Sequence, residues 1–149
     1  MTIEEAIEQK RPFRNEYQRC MVNLIFTTNQ VRNNVKGHLK SYGITLQQYN
    51  VLRILKGAGK PISTSEIRKR LLDKMSDTSR IVERMVQKDL VIRMTCPKDK
   101  RLVDVTISEK GLQLLVEINL QNIEVINWFG KLKEDEAKYL NQLLDKIRM

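Results

Sequence analysis

Ser63-Thr64-Ser65-Glu66-Ile67-Arg68-Lys69-Arg70-Leu71-Leu72, Asp73-Lys74-Met75 and Ser76-Asp77-Thr78-Ser79-Arg80-Ile81-Val82-Glu83-Arg84-Met85-Val86-Gln87-Lys88 decide the reading of the chain. The first block predicts a short helix, with Ser63 as N-cap and Glu66 three residues on in a capping-box pattern. The middle block predicts a tight connection. The third predicts a second helix capped by Ser76, with Asp77 in the first turn, where a carboxylate suits the dipole. Thr78, Ile81, Val82, Met85 and Val86 fall at helical spacing and form one apolar face. Asp77, Ser79, Arg80, Glu83, Arg84 and Lys88 form the other. Taken alone, that face also suits a core helix with a solvated charged side. Two short helices around a tight turn make a helix-turn-helix, whose second helix enters a DNA major groove.

The following residues favour the nucleic-acid reading. Val91, Arg93 and Thr95 alternate with Ile92, Met94 and Cys96. Leu102, Asp104 and Thr106 alternate with Val103, Val105 and Ile107. These are period-two strands, and Pro97-Lys98-Asp99-Lys100-Arg101 joins them. Three cations in four residues at a hairpin tip suit a probe for phosphate or a minor groove. Asp99 lies two residues from Arg101, where its carboxylate can hold the guanidinium ready; a turn aspartate chosen for its backbone preference is the alternative. The hairpin makes the unit a winged helix. The residues expected at DNA are Ser76, Asp77, Ser79, Arg80 and Arg84 from the helix, with Lys98, Asp99, Lys100 and Arg101 from the wing.

The block 76–85, the exit Lys88-Asp89-Leu90-Val91 and the run 98–111 together resemble the MarR family of bacterial transcription regulators. The family pattern has a recognition helix of the S-x-x-T/S-R-x-V-x-x-L type, a K-x-G-L-V exit and a wing ending D-x-R-x-x-x-V-x-L-T-x-x-G. Gly43-Ile44-Thr45-Leu46-Gln47-Gln48-Tyr49-Asn50-Val51-Leu52 is similar to another helix start of that family. The resemblance runs from about residue 14 to the end. One departure is Asp89, where the family has glycine. The resemblance implies a homodimer that binds a palindromic operator, a repressor more than an activator, released by a small-molecule effector. The implied effector pocket lies between the terminal helices and the DNA-binding lobe, and its lining here includes Tyr17, Met21, Tyr49 and Arg53.

Charge agrees with a polyanionic partner. The chain carries +9 over 149 residues, and residues 60–101 hold 12 Lys/Arg against 6 Asp/Glu, a net +6. Residues 109–149 hold 6 against 7, a net −1. A membrane surface calls for one continuous basic amphipathic helix, whereas these cations spread over two helices and a hairpin. No apolar run approaches the ~20 residues needed to span a bilayer. The polar, acidic start is no signal peptide. With Cys20 and Cys96 alone, a disulfide framework is not expected, and the setting reads as cytoplasmic.

The remainder reads as mainly α with a small β-hairpin wing, an α+β single domain over 1–149. Residues 1–13 read as a flexible lead-in. A long helix follows over 14–42, then a helix from Leu46 to about Lys56 capped by Thr45. The winged lobe occupies 45–108. A fifth helix is predicted from about Glu109 to Asn127, broken at Trp128-Phe129-Gly130, and a last one opens at Lys133-Glu134-Asp135-Glu136. The helices over 14–42 and 109–149 carry apolar stripes that one lobe cannot cover. They are expected to interdigitate across a dimer axis. His38 reads as exposed or capping. No zinc spacing, G-x-S-x-G, P-loop or G-x-G-x-x-G occurs, so no enzyme, metal or cofactor is expected. Cys20 reads as a buried structural cysteine, with a redox sensor as the alternative. A winged helix used only for protein contacts is the other competing class.

Overall fold

The computed structural model describes residues 1–95, 103–118 and 128–149. In order these form α1 (Ile3–Ala6), α2 (Glu16–Lys40), α3 (Leu46–Ala58), β1 (Ile62–Ser63), α4 (Thr64–Arg70), α5 (Thr78–Gln87), β2 (Val91–Thr95), β3 (Val103–Ile107), α6 (Glu109–Ile118) and α7 (Glu134–Arg148). The expected mainly helical fold with a small sheet is present. The wing tip 96–102, with Cys96, and the expected extension of the fifth helix through 119–127 lie outside the described residues.

Helices begin where a side chain serves the free amides of the first turn. Asn15 Oδ1 accepts from Gln18 N at 2.9 Å to start α2. Thr45 and Gln48 make a full capping box at α3, with bonds of 3.2 and 3.1 Å. Ser63 accepts from Glu66 N at 3.1 Å to start α4. The return bond expected of Glu66 is absent among the described residues, because its carboxylate takes Arg70 at 2.7 Å instead. That guanidinium holds the Glu66 carboxyl below the usual carboxylate range.

Two boundaries differ from the sequence reading. α4 stops at Arg70, because Leu71 turns to extended backbone and is buried. α5 begins at Thr78, with Asp77 rather than Ser76 as N-cap, its Oδ1 accepting from Arg80 N at 3.2 Å. The connection therefore runs over 71–77 and is longer than the expected turn. The lead-in is also ordered in part. Thr2 and Glu5 form a capping box, Ile3 is buried, and Glu4 Oε1 meets Arg19 Nε of α2 at 2.7 Å.

The sheet has strand order β1-β3-β2, all antiparallel. Ile62 faces Val105, and β2 pairs with β3 from Val91–Ile107 to Thr95–Val103. β1 has only two residues, too few for any periodicity to show. The alternation expected of β2 does not become alternating burial. Val91 is buried, but Ile92 and Met94 are 52% and 43% exposed, because the strand runs out past the core. That core holds Val51, Leu52 and Leu55 of α3, Ile67 of α4, Val82 and Met85 of α5, and Val105 of β3. Leu39 of α2 and Leu115 and Ile118 of α6 join it. Each such side chain contributes about 1.5–3 kcal/mol on burial. Tyr49 and Ile54 sit half-buried at its edge.

Asp89 ends α5 in the left-handed region, at φ 58°. An L-residue there costs about 1 kcal/mol relative to glycine. Its carboxylate approaches Lys110 at 3.9 Å, but both side chains are mostly exposed, and such pairs contribute little. Asp89→Gly is expected to raise the melting temperature by about 2–4 °C, with no change in the DNA sequence preferred. A fall in melting temperature would show that the carboxylate contributes more than its exposure implies.

The terminal helices keep their apolar faces open. α7 buries no residue, and Tyr139, Leu140, Leu143 and Ile147 are exposed along it. Tyr17, Met21, Leu24 and Ile25 are likewise exposed on the first half of α2. Cys20 shares that exposure and is not the buried residue expected. The stripe that holds it turns away from its own lobe. His38 is half-buried rather than exposed. Its ring stands 5.4 Å from Tyr42, and its Nε2 is 3.2 Å from the Ile118 carbonyl, a partner only an N–H can serve.

Candidate nucleic-acid interface

α5 presents its polar face because its apolar face is fixed in the core. Thr78, Val82 and Met85 are buried. That leaves Ser79, Arg80, Glu83 and Arg84 outward. The N-terminal half stands between two open clefts. One, of about 480 Å³, lies against α4 and is lined by Thr64, Ser65 and Arg68 together with Met75 and 76–79. The other, also about 480 Å³, lies against the start of α3, with Thr45, Gln47 and Asp73 facing Ser76, Asp77, Arg80 and Arg84. Leu72 and Met75, at 81% and 91% exposed, show how far the preceding connection projects. A helix end flanked by clefts on both sides has the relief needed to enter a groove.

Ser76, Asp77, Ser79, Arg80 and Arg84, expected from sequence to act together, converge on this ridge. Asp77 has a local duty as well, since its carboxylate caps the helix. Thr64, Ser65 and Arg68 of α4, and Thr45 and Gln47 of α3, carry no sequence signal for this surface. Only the packing of α4 and α3 against α5 brings them to the ridge. Lys98, Asp99, Lys100 and Arg101 lie outside the described residues. In the single chain Tyr17 and Met21 are 87% and 56% exposed, Tyr49 is half-buried and Arg53 is exposed. None of the four lines the clefts beside α5.

The far end of α5 is tied to the rest of the fold. Lys88 Nζ donates to the Gly43 carbonyl at 2.6 Å. Lys110 Nζ donates to the Lys88 carbonyl at 2.9 Å, and Ser108 Oγ to the Asp89 carbonyl at 2.6 Å. The turn after α2 and the start of α6 thus set the angle at which α5 projects.

These two ends predict unequal mutants. Arg80 stands exposed at the projecting end, whereas the Lys88 ammonium is engaged with Gly43 at the other. Arg80→Ala is expected to cost about 1–3 kcal/mol of specific binding and to relax sequence preference. Lys88→Ala is expected to leave sequence preference intact. Equal losses of specific binding in the two variants, measured by titration on one duplex, would refute the orientation given to α5.

Residues 42–102 match the profile of the MarR family. Over 115 residues the chain is 31% identical to the HTH-type transcriptional repressor IacR of Pseudomonas putida, covering 76% of this chain and 68% of that one. The chain belongs to the MarR family. It is accordingly a DNA-binding transcription regulator. Two solved MarR-type structures share its fold. A mutant MarR from Escherichia coli complexed with operator DNA gives a TM-score of 0.79 at 24% identity, covering 92% of this chain and 99% of that one. The organohalide-sensing regulator RdhR in its 2,4-dichlorophenol-bound form gives 0.82 at 19%, with 94% and 86% covered.

Proposed function

We propose that this MarR-family chain is a cytoplasmic, non-enzymatic repressor that binds a palindromic operator as a homodimer and is released by a small molecule. The dimer reading rests on the open apolar faces of α2 and α7. Tyr139, Leu140, Leu143 and Ile147 recur along one side of α7 and are all exposed in the single chain. An amphipathic helix whose apolar side is left exposed is stabilised by a second copy, and a two-fold interface is the common solution. Two recognition helices on such a dimer stand about 34–36 Å apart, one turn of DNA.

Release by an effector rests on the route from the terminal helices to α5. His38 and Tyr42 of α2 and the turn after it contact carbonyls of α6, and Lys88 and Lys110 carry that register to the end of α5. A ligand held by Tyr17, Met21, Tyr49 and Arg53 would bear on the first turns of both α2 and α3. RdhR, solved with a chlorinated phenol, shares the fold.

The test is a dimer-face variant. Leu140→Asp combined with Leu143→Asp is expected to give a folded monomer by sedimentation and to weaken operator binding at least tenfold. A variant that stays dimeric, or a monomer that binds as tightly as the parent, would defeat this assembly.

A further inference from the structure

The basic charge of this chain is not confined to the helix-turn-helix and wing. Residues 17–59 contain six Lys/Arg and no Asp or Glu, so they carry +6, as much as residues 60–101 with 12 against 6. Arg19 is neutralised by Glu4 and Glu16. Arg32, Lys36 and Lys40 are different. They follow one another at four-residue steps on α2 and so share a face. None of the three is in an ion pair among the described residues.

That face is one wall of a groove of about 600 Å³. Its other wall is the start of α3, with Thr45 and Gln47, and its floor reaches Asp73. Thr45, Gln47 and Asp73 also line the cleft that holds Arg80 and Arg84. The two depressions are therefore one continuous surface from the middle of α2 to the projecting end of α5. Asp73 is the only carboxylate lining the groove among the described residues, and its Oδ1 accepts from Met75 N at 3.1 Å.

We propose that the Arg32–Lys36–Lys40 face of α2 is a second DNA-backbone track, which holds phosphates flanking the bases read by α5. The proposal rests on the DNA-binding reading above and extends its footprint. Three cations over two helical steps span about 12 Å, which is three to four nucleotides at about 3.4 Å per step. Lysines and arginines with amide and hydroxyl neighbours suit phosphate oxygens. A lipid surface would want an exposed apolar strip beside the cations, whereas the apolar members of this groove, Ile44 and Leu46, are buried and half-buried. Such contacts are sequence-blind. They strengthen every duplex alike and fix the register in which α5 meets the bases.

The experiment compares the full chain with an Arg32→Gln, Lys36→Gln, Lys40→Gln variant and with Lys36→Gln alone. Circular dichroism and melting temperature confirm that each is folded. The probes are a duplex selected by the parent protein from a random-sequence pool, the same duplex trimmed by four base pairs at each end, and an unrelated duplex of full length. The triple variant is expected to lose affinity for selected and unrelated duplexes by the same factor. Its salt slope should flatten by roughly 0.9 for each phosphate left unneutralised, about five for the six cations of a dimer. Lys36→Gln alone should flatten it by about two. Trimming should weaken the parent and leave the triple variant unchanged. Unaltered affinity and slope in both folded variants would overturn the track while leaving the DNA-binding reading intact. A parent protein that binds none of the duplexes would overturn both.

Discussion

Raising the salt from 50 to 200 mM is expected to weaken operator binding by roughly 10³–10⁵, for six to ten phosphate contacts per dimer. Each contact releases condensed counterions, so the loss grows with their number. The motive is the charge map. Residues 17–59 and 60–101 each carry +6, while the rest of the chain sums to −3, giving the net +9. Arg80 and Arg84 line one cleft and Arg32, Lys36 and Lys40 the adjoining groove, all on exposed positions. Fluorescence anisotropy at several salt concentrations measures the slope. A flat response would mean that the basic surfaces do not meet phosphate.

Gly111→Ala is expected to cost at least about 3 kcal/mol, at or beyond the upper end for overpacking a core. A Cβ at Gly111 would lie 2.3 Å from the Leu90 carbonyl oxygen, 2.9 Å from Ile107 Cγ1 and 3.1 Å from Leu52 Cδ2. The first of these is backbone and cannot swing aside. Gly111 sits in the first turn of α6, where its N–H donates to Ser108 Oγ at 3.0 Å. Relief requires α6 to move away from Leu90 and the end of β3, and that opens the core beneath Leu115. Total stabilities of about 5–15 kcal/mol make such a loss severe. Urea denaturation of parent and variant measures it. An unchanged midpoint would mean that α6 shifts freely, which contradicts its packing on α3.

The same glycine shows what kind of information the sequence holds. It closes the wing pattern that carries the family resemblance, yet its role is close packing of a helix on a strand. The recognition helix is legible because α5 has a strong apolar period and polar residues at its start. Ser76 and Asp77 are both good caps in sequence, and only the backbone decides that Asp77 is the one used. The long connection 71–77 is hidden because Leu71 and Leu72 continue the helical pattern. Leu71 is buried and Leu72 is 81% exposed, a difference that no local spacing signals. Thr2 and Glu5 did offer a capping-box signal for α1 in the stretch read as flexible.

The groove on α2 is less legible for a different reason. Arg32, Lys36 and Lys40 lie in a helix whose apolar stripe marks it for dimerisation. The absence of acids over 17–59 is visible in the sequence, but its meaning depends on where α2 ends relative to α5. The Gly43 turn sets that placement, and the Lys88–Gly43 bond holds it. Effector specificity is the least legible feature, since the proposed lining residues are common types whose arrangement depends on the second copy.

Selection of bound duplexes from a random-sequence pool by the full-length protein, followed by footprinting of the selected DNA, tests the central claim most directly. The expected result is an inverted repeat whose half-sites are centred about one helical turn, roughly 10 base pairs, apart. Each half should be protected in the major groove, with backbone protection extending outward. Selection of no common sequence, or of a single half-site without symmetry, would contradict a dimer that reads operator DNA through α5.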